Sequence, residues 1–265
     1  MKKTQFSFKD RVVSMLNVDF RRMFTMRLIY IMLGIAIVTP ILILVMTTMM
    51  DGSVSVNPQT GKETVIEGFD YVWQAIATPT SSEATMSMDL VSMCNINMFY
   101  FAIAVFACIF VSEDFRSGYN KNLFTTRSKK SDYIISKSIT LFVSGALMLI
   151  CFFIGTIIGG KVAGLPFDLA GTSLFNLIMC MLSKILLVGV FVPIFLIMSV
   201  VGKSRLWLSL ICAFGASMLL FTMVPMITPL DSTLLNVILC FAGSLIFSVG
   251  IGIGSTKILE KTSLV

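Results

Sequence analysis

Histidine is absent from this 265-residue sequence, and with it the usual general base and the commonest metal ligand. That removes the Ser-His, metal-His and Glu-His arrangements of intramembrane proteolysis. Charge is scarce too, at 13% of residues, and the long apolar stretches hold no aspartate or glutamate. A paired-aspartate catalyst, or the acid-lined ion path of a secondary transporter, has no residues to work with there. Six cysteines (Cys94, Cys108, Cys151, Cys180, Cys212, Cys240) form no C-x-x-C pair, which argues against a disulfide framework or a zinc site and leaves them as small apolar filler.

What is present is apolar. With 56% hydrophobic residues and a mean hydropathy of +0.93, the chain has more apolar surface than one soluble core can hide, so lipid must be part of its solvent. A crossing needs about 20 apolar residues. Six stretches meet that, at 28–50, 90–112, 138–160, 174–201, 206–230 and 232–256. A charged segment of 27 residues precedes the first stretch, unlike a cleaved signal peptide, so that span is expected to stay in the mature protein. The sequence predicts an all-α integral membrane protein of six transmembrane helices, a single transmembrane domain over 1–265.

Lys and Arg mark the cytoplasmic side of such spans. Placing the N-terminus inside leaves all but Lys62, Lys161 and Lys184 of the 20 basic residues inside, and puts both termini in the cytoplasm. The net charge of +6 is then a topology signal that also suits anionic lipid headgroups, not nucleic acid. In segment 1–27, Val12, Val13, Leu16, Phe20, Met23 and Phe24 share one helical face, with Arg11, Ser14, Asp19, Arg21 and Arg22 largely opposite, predicting an amphipathic helix on the inner membrane surface.

Segment 51–89 is expected to be extracellular, with a turn-rich start around Asn57–Gly61 and Phe69, Val72, Trp73 and Ile76 on one face of a short helix at the outer interface. Lys184 interrupts the fourth stretch. A lysine at mid-membrane costs roughly 2.5–3.5 kcal/mol, so the span is expected to begin near Ile185 with the ammonium snorkelling to the outer surface. Pro225 and Pro229 predict a break and a partly re-entrant turn before the sixth span. Gly155 and Gly159, and the cluster Gly250, Gly252 and Gly254, read as close helix packing.

One string, Gly155 to Lys161, nearly spells the phosphate-binding loop. It fails because Val162 replaces the magnesium-binding hydroxyl and because the string ends an apolar helix instead of linking a strand to one. No cofactor is expected on this chain.

The most polar cytoplasmic feature is the loop 113–137. Its sequence Val111-Ser-Glu-Asp-Phe-Arg-Ser-Gly118, then Lys121-Asn-Leu123, Arg127-Ser-Lys-Lys and Tyr133 to Lys137, resembles the E-[ED]-[FY]-x-x-G-[TS]-x-[KR] loop of ABC-2 type transporter permeases, with Tyr119 departing from the small hydroxyl residue usual after the glycine. The N-terminal helix and six-span plan extend the resemblance over essentially the whole chain.

The resemblance implies a bacterial plasma-membrane export permease whose ATP and magnesium sit on a separate ABC ATPase subunit. It also implies a second permease copy or a related permease. Carried over, Glu113, Asp114, Phe115, Arg116 and Gly118 become the ATPase-coupling residues, and Arg21 and Arg22 secondary cytoplasmic contacts. The 19 Met and 22 Phe give soft apolar surface that points to amphipathic or hydrophobic peptides as cargo. A non-transporting sensor or scaffold docking through the same loop, and a secondary transporter, are the alternatives.

Overall fold

The computed structural model describes residues 7–56, 63–65, 68–78, 95–126, 129–169 and 171–261. Helix α1 (Phe8–Thr25) ends at Met26, whose extended backbone (ψ 128°) turns the chain sharply into α2 (Arg27–Met50). There follow α3 (Phe99–Arg116), α4 (Tyr119–Thr126), α5 (Lys130–Ala163), α6 (Leu174–Gly202), α7 (Leu206–Ile227) and α8 (Leu234–Lys261). Among the described residues, six helices are long and apolar enough to cross a membrane: all of these except α1 and α4. A three-residue antiparallel pair, Val54–Val56 with Glu63–Val65, is the one departure from all-helical structure there.

In lipid no hydrophobic force drives helices together, so contact depends on close packing and small residues. The α2–α5 junction shows this. A Cβ added at Gly155 would run into the Ile37 carbonyl oxygen, and one at Gly159 would lie 2.8 Å from Ile41 Cα. The two glycines let α2 lie directly on α5, and the phosphate-loop-like string is thereby taken up in helix packing. By contrast, a Cβ at Gly250 or Gly252 would meet nothing within 4 Å, so those glycines face open space.

Helix α6 is the centre of the bundle, packing on α3, α5, α7 and α8. Its Phe191 ring lies 4.8 Å from Tyr100 of α3 and 5.0 Å from Phe221 of α7. Helices α7 and α8 are largely exposed and apolar on their outer faces, for example Leu219, Leu235 and Ile246, which suits lipid.

Several boundaries differ from the sequence expectation. Helix α5 begins at Lys130, not near 138, so it has 34 residues and extends about 50 Å, against about 30 Å of hydrocarbon. Its first turns project at the basic end of the bundle. The start of the second apolar stretch, at 90, and the turn around Asn57–Gly61 lie outside the described residues.

At the opposite end, Val72–Ala75 forms a single 3-10 turn tucked into the bundle, with Trp73 stacked on Phe153 at 5.8 Å and Val72 N–H donating to the Pro166 carbonyl at 3.1 Å. It is a plug, not a helix lying at the interface. Helix α7 runs through Pro225 and stops at Ile227, so the predicted break falls later than the first proline.

Candidate functional site

The basic end is held by a cluster of buried charges drawn from three helices. In α1, Met15, Asp19 and Met23 recur every fourth residue and form its buried stripe against α5. Sequence periodicity put Asp19 on the polar face, and Val13 and Phe24 on the apolar face turned to the membrane surface. The structure corrects the first part, with Asp19 fully buried against the bundle, while Val13 and Phe24 are exposed.

Lys137 of α5 explains how an acid can occupy that stripe. Its Nζ lies 2.8 Å from Asp19 Oδ1 and 2.8 Å from Asp114 Oδ2, with all three side chains inaccessible. The Arg22 guanidinium stands 2.7 Å from Asp114 Oδ1. The Tyr133 hydroxyl donates to Asp114 Oδ2 at 2.9 Å, and the Ser136 hydroxyl to Asp19 Oδ2 at 2.6 Å. Two carboxylates thus meet two cations, with hydroxyls filling the remaining lone pairs, which is what makes buried ions tolerable. A second pair, Arg11 to Asp132 at 2.9 Å, ties α1 to the start of α5.

Aromatic rings surround the cations. Lys137 Nζ sits 4.1 Å from the Phe110 ring centre, and the Arg22 guanidinium 4.1 Å from that of Tyr119. Tyr119, the residue that departs from the family pattern, therefore supplies the face on which Arg22 rests. Burial lowers the Arg22 pKa, but the charge and hydrogen bond of Asp114 outweigh it and hold the group above the ordinary arginine value. Burial pushes the Tyr119 phenol up.

The loop motif is divided by this arrangement. Glu113 to Arg116 form the last turn of α3; Asp114 points inward, Glu113 and Arg116 are exposed, and Phe115 is half-buried against the core. Gly118 has φ +72°, a left-handed conformation that suits glycine, and it redirects the chain into α4. Of the two arginines singled out in α1, Arg22 joins Asp114, whereas Arg21 remains exposed. Sequence reasoning missed Asp19, Tyr133, Ser136 and Lys137. The signal for Asp19 was its spacing from Met15 and Met23.

Lys184 corrects the snorkelling expectation. It is fully buried, and its Nζ donates to Asn97 Oδ1 at 2.9 Å and to Thr228 Oγ1 at 2.8 Å, while the Tyr100 hydroxyl donates to its backbone carbonyl at 2.7 Å. The cluster joins the start of α3 to α6 and the end of α7. Because the amine has neutral acceptors, removing it costs little and removing an acceptor costs more. Lys184→Met should therefore unfold in detergent no lower than the wild type, whereas Thr228→Val or Asn97→Leu should lose about 1–3 kcal/mol. A Lys184→Met variant less stable than both would contradict this reading.

Among the described residues, no group of three or more Cys, Asp or Glu is placed to hold a metal. A family profile described as ABC-2 family transporter protein matches residues 20–220, well over half the chain, from the middle of α1 into α7. No curated protein and no solved structure matches. The profile covers Arg22, Asp114 and Lys137 of the charge cluster, with Asp19 one residue outside it, and the loop motif and the first four spans in full, and the chain therefore belongs to the ABC-2 transporter family as a membrane-spanning permease.

Proposed function

We propose that this permease is driven by a separate ABC ATPase docked at the basic end, and that the Asp19–Lys137–Asp114–Arg22 cluster carries the ATPase's movement into the spans. The observation that carries the reading is the split of the loop motif: Asp114 is locked to α1 and α5, while Glu113 and Arg116, one residue to either side of the Asp114–Phe115 pair, are exposed and available to a partner. A force applied to the exposed residues reaches three helices at once, because the buried member of the same turn is bonded to all of them. Phe115 and Gly118 shape this turn, and Arg21 adds an exposed contact from α1.

In this reading the basic end and both termini are cytoplasmic, the membrane is bacterial, ATP and magnesium stay on the ATPase, and a second permease copy or a relative completes the path. The direction is export, and the cargo is an amphipathic or hydrophobic peptide, in keeping with apolar spans free of acids.

The test is assembly with the co-expressed ATPase. Because like charges brought together at a contact cost several kcal/mol, Glu113→Lys with Arg116→Glu should reduce co-purified ATPase at least tenfold without reducing membrane abundance. Lys257→Glu should leave it unchanged. Normal assembly of the double variant would remove the docking claim.

A further inference from the structure

A groove of about 610 Å³ runs between α5, α6 and α8, lined by none of the residues of the charge cluster. Its walls are apolar, with Ile139, Phe142, Leu186, Phe241 and Ile253 among them, and no charged side chain lines it. The size is that of a small-molecule site. Two of its five hydroxyls are tied to helix backbone: Ser248 donates to the Gly189 carbonyl at 3.1 Å and Thr256 to the Gly252 carbonyl at 2.9 Å.

One end of the groove is basic. It reaches Ser131 and Thr256, and there Lys130 Nζ crosses from α5 to α8, donating to the Leu259 carbonyl at 2.7 Å. Lys129, Lys257 and Lys261 are exposed around that end, against the single acid Glu260 on the same last turns of α8.

We infer that this groove holds an acyl chain of an anionic phospholipid, with the headgroup on the lysines at its basic end. A peptide backbone laid in the groove would need polar partners that walls of this kind do not offer, whereas an acyl chain needs none. A second copy is disfavoured by symmetry, since an isologous interface would bring the lysines of one copy toward those of the other. The inference does not depend on ATPase docking or on the identity of the cargo.

The groove can be blocked without disturbing the fold, because a Cβ at Gly252 meets nothing within 4 Å. The experiment is native mass spectrometry of the delipidated full chain titrated with phosphatidylglycerol or with phosphatidylcholine of identical acyl chains. Wild type should take up phosphatidylglycerol saturably at one per chain, on the order of tenfold more tightly than phosphatidylcholine, since the lysines at the basic end favour an anionic headgroup over a zwitterionic one. Lys129→Gln with Lys257→Gln should bring phosphatidylglycerol binding down toward the phosphatidylcholine level, Lys130 and Lys261 retaining part of the preference. Gly252→Phe should lower the binding of both lipids, and Gly250→Phe, a glycine that also faces open space but does not line the groove, should lower neither. Equal binding of the two lipids by wild type, or undiminished binding by Gly252→Phe, would overturn the proposal. So would a Gly252→Phe variant whose sole change is loss of self-association, since the groove would then belong to a second copy.

Discussion

Lys137→Met should unfold in detergent far below the wild type, and adding Asp19→Asn should restore most of the loss. Methionine keeps the length and packing of the stem, so the change isolates the ammonium. Without it Asp114 still has Arg22 and Tyr133, but Asp19 retains only the Ser136 hydroxyl. A fully buried carboxylate then faces a second one with no cation between them, and a broken buried pair of this kind costs about 3–5 kcal/mol. Converting Asp19 to asparagine removes the orphaned charge, so the two substitutions should be strongly non-additive in a double-mutant cycle. Thermal unfolding of the four proteins in one detergent measures this. A Lys137→Met protein as stable as wild type, or two substitutions whose costs simply add, would mean that these buried ions do not interact as their distances require.

The spans were legible because crossing a bilayer demands about 20 apolar residues in a row, a signal that survives without any knowledge of partners. Where helices extend past the hydrocarbon, that signal vanishes. Lys130 to Lys137 reads as loop because it is charged, yet charge does not end a helix, and α5 simply continues through it. Asp19 was misplaced for a related reason: periodicity treats an acid as solvent-facing, and only the position of Lys137, more than a hundred residues later, makes burial possible. Lys184 was misjudged because its acceptors, Asn97 and Thr228, lie 87 and 44 residues away in sequence. Gly155 and Gly159 were read correctly as packing, since a small-residue spacing of four carries its meaning locally. Within the loop motif, the sequence pattern could not tell Asp114, which is paired with α1 and α5, from Glu113 beside it, which is exposed.

That distinction underlies the role beyond stability proposed for the cluster. If Asp114 transmits movement, neutralising it should leave the ATPase bound but disconnected from the opposite end of the bundle. Cys180 is a native reporter there: it is buried, its thiol donates to the Thr228 carbonyl at 3.6 Å, and it lies one helical turn from Lys184. The deciding measurement is the rate at which a membrane-impermeant maleimide labels Cys180, with the other five cysteines replaced by alanine, in the assembled complex with and without ATP. Wild type should label about tenfold faster during ATP turnover, as α6 and α7 part at that end. Asp114→Asn should co-purify with the ATPase and hydrolyse ATP, yet show no acceleration. Equal acceleration in wild type and Asp114→Asn would contradict the claim that the buried charges carry movement from the basic end into the spans.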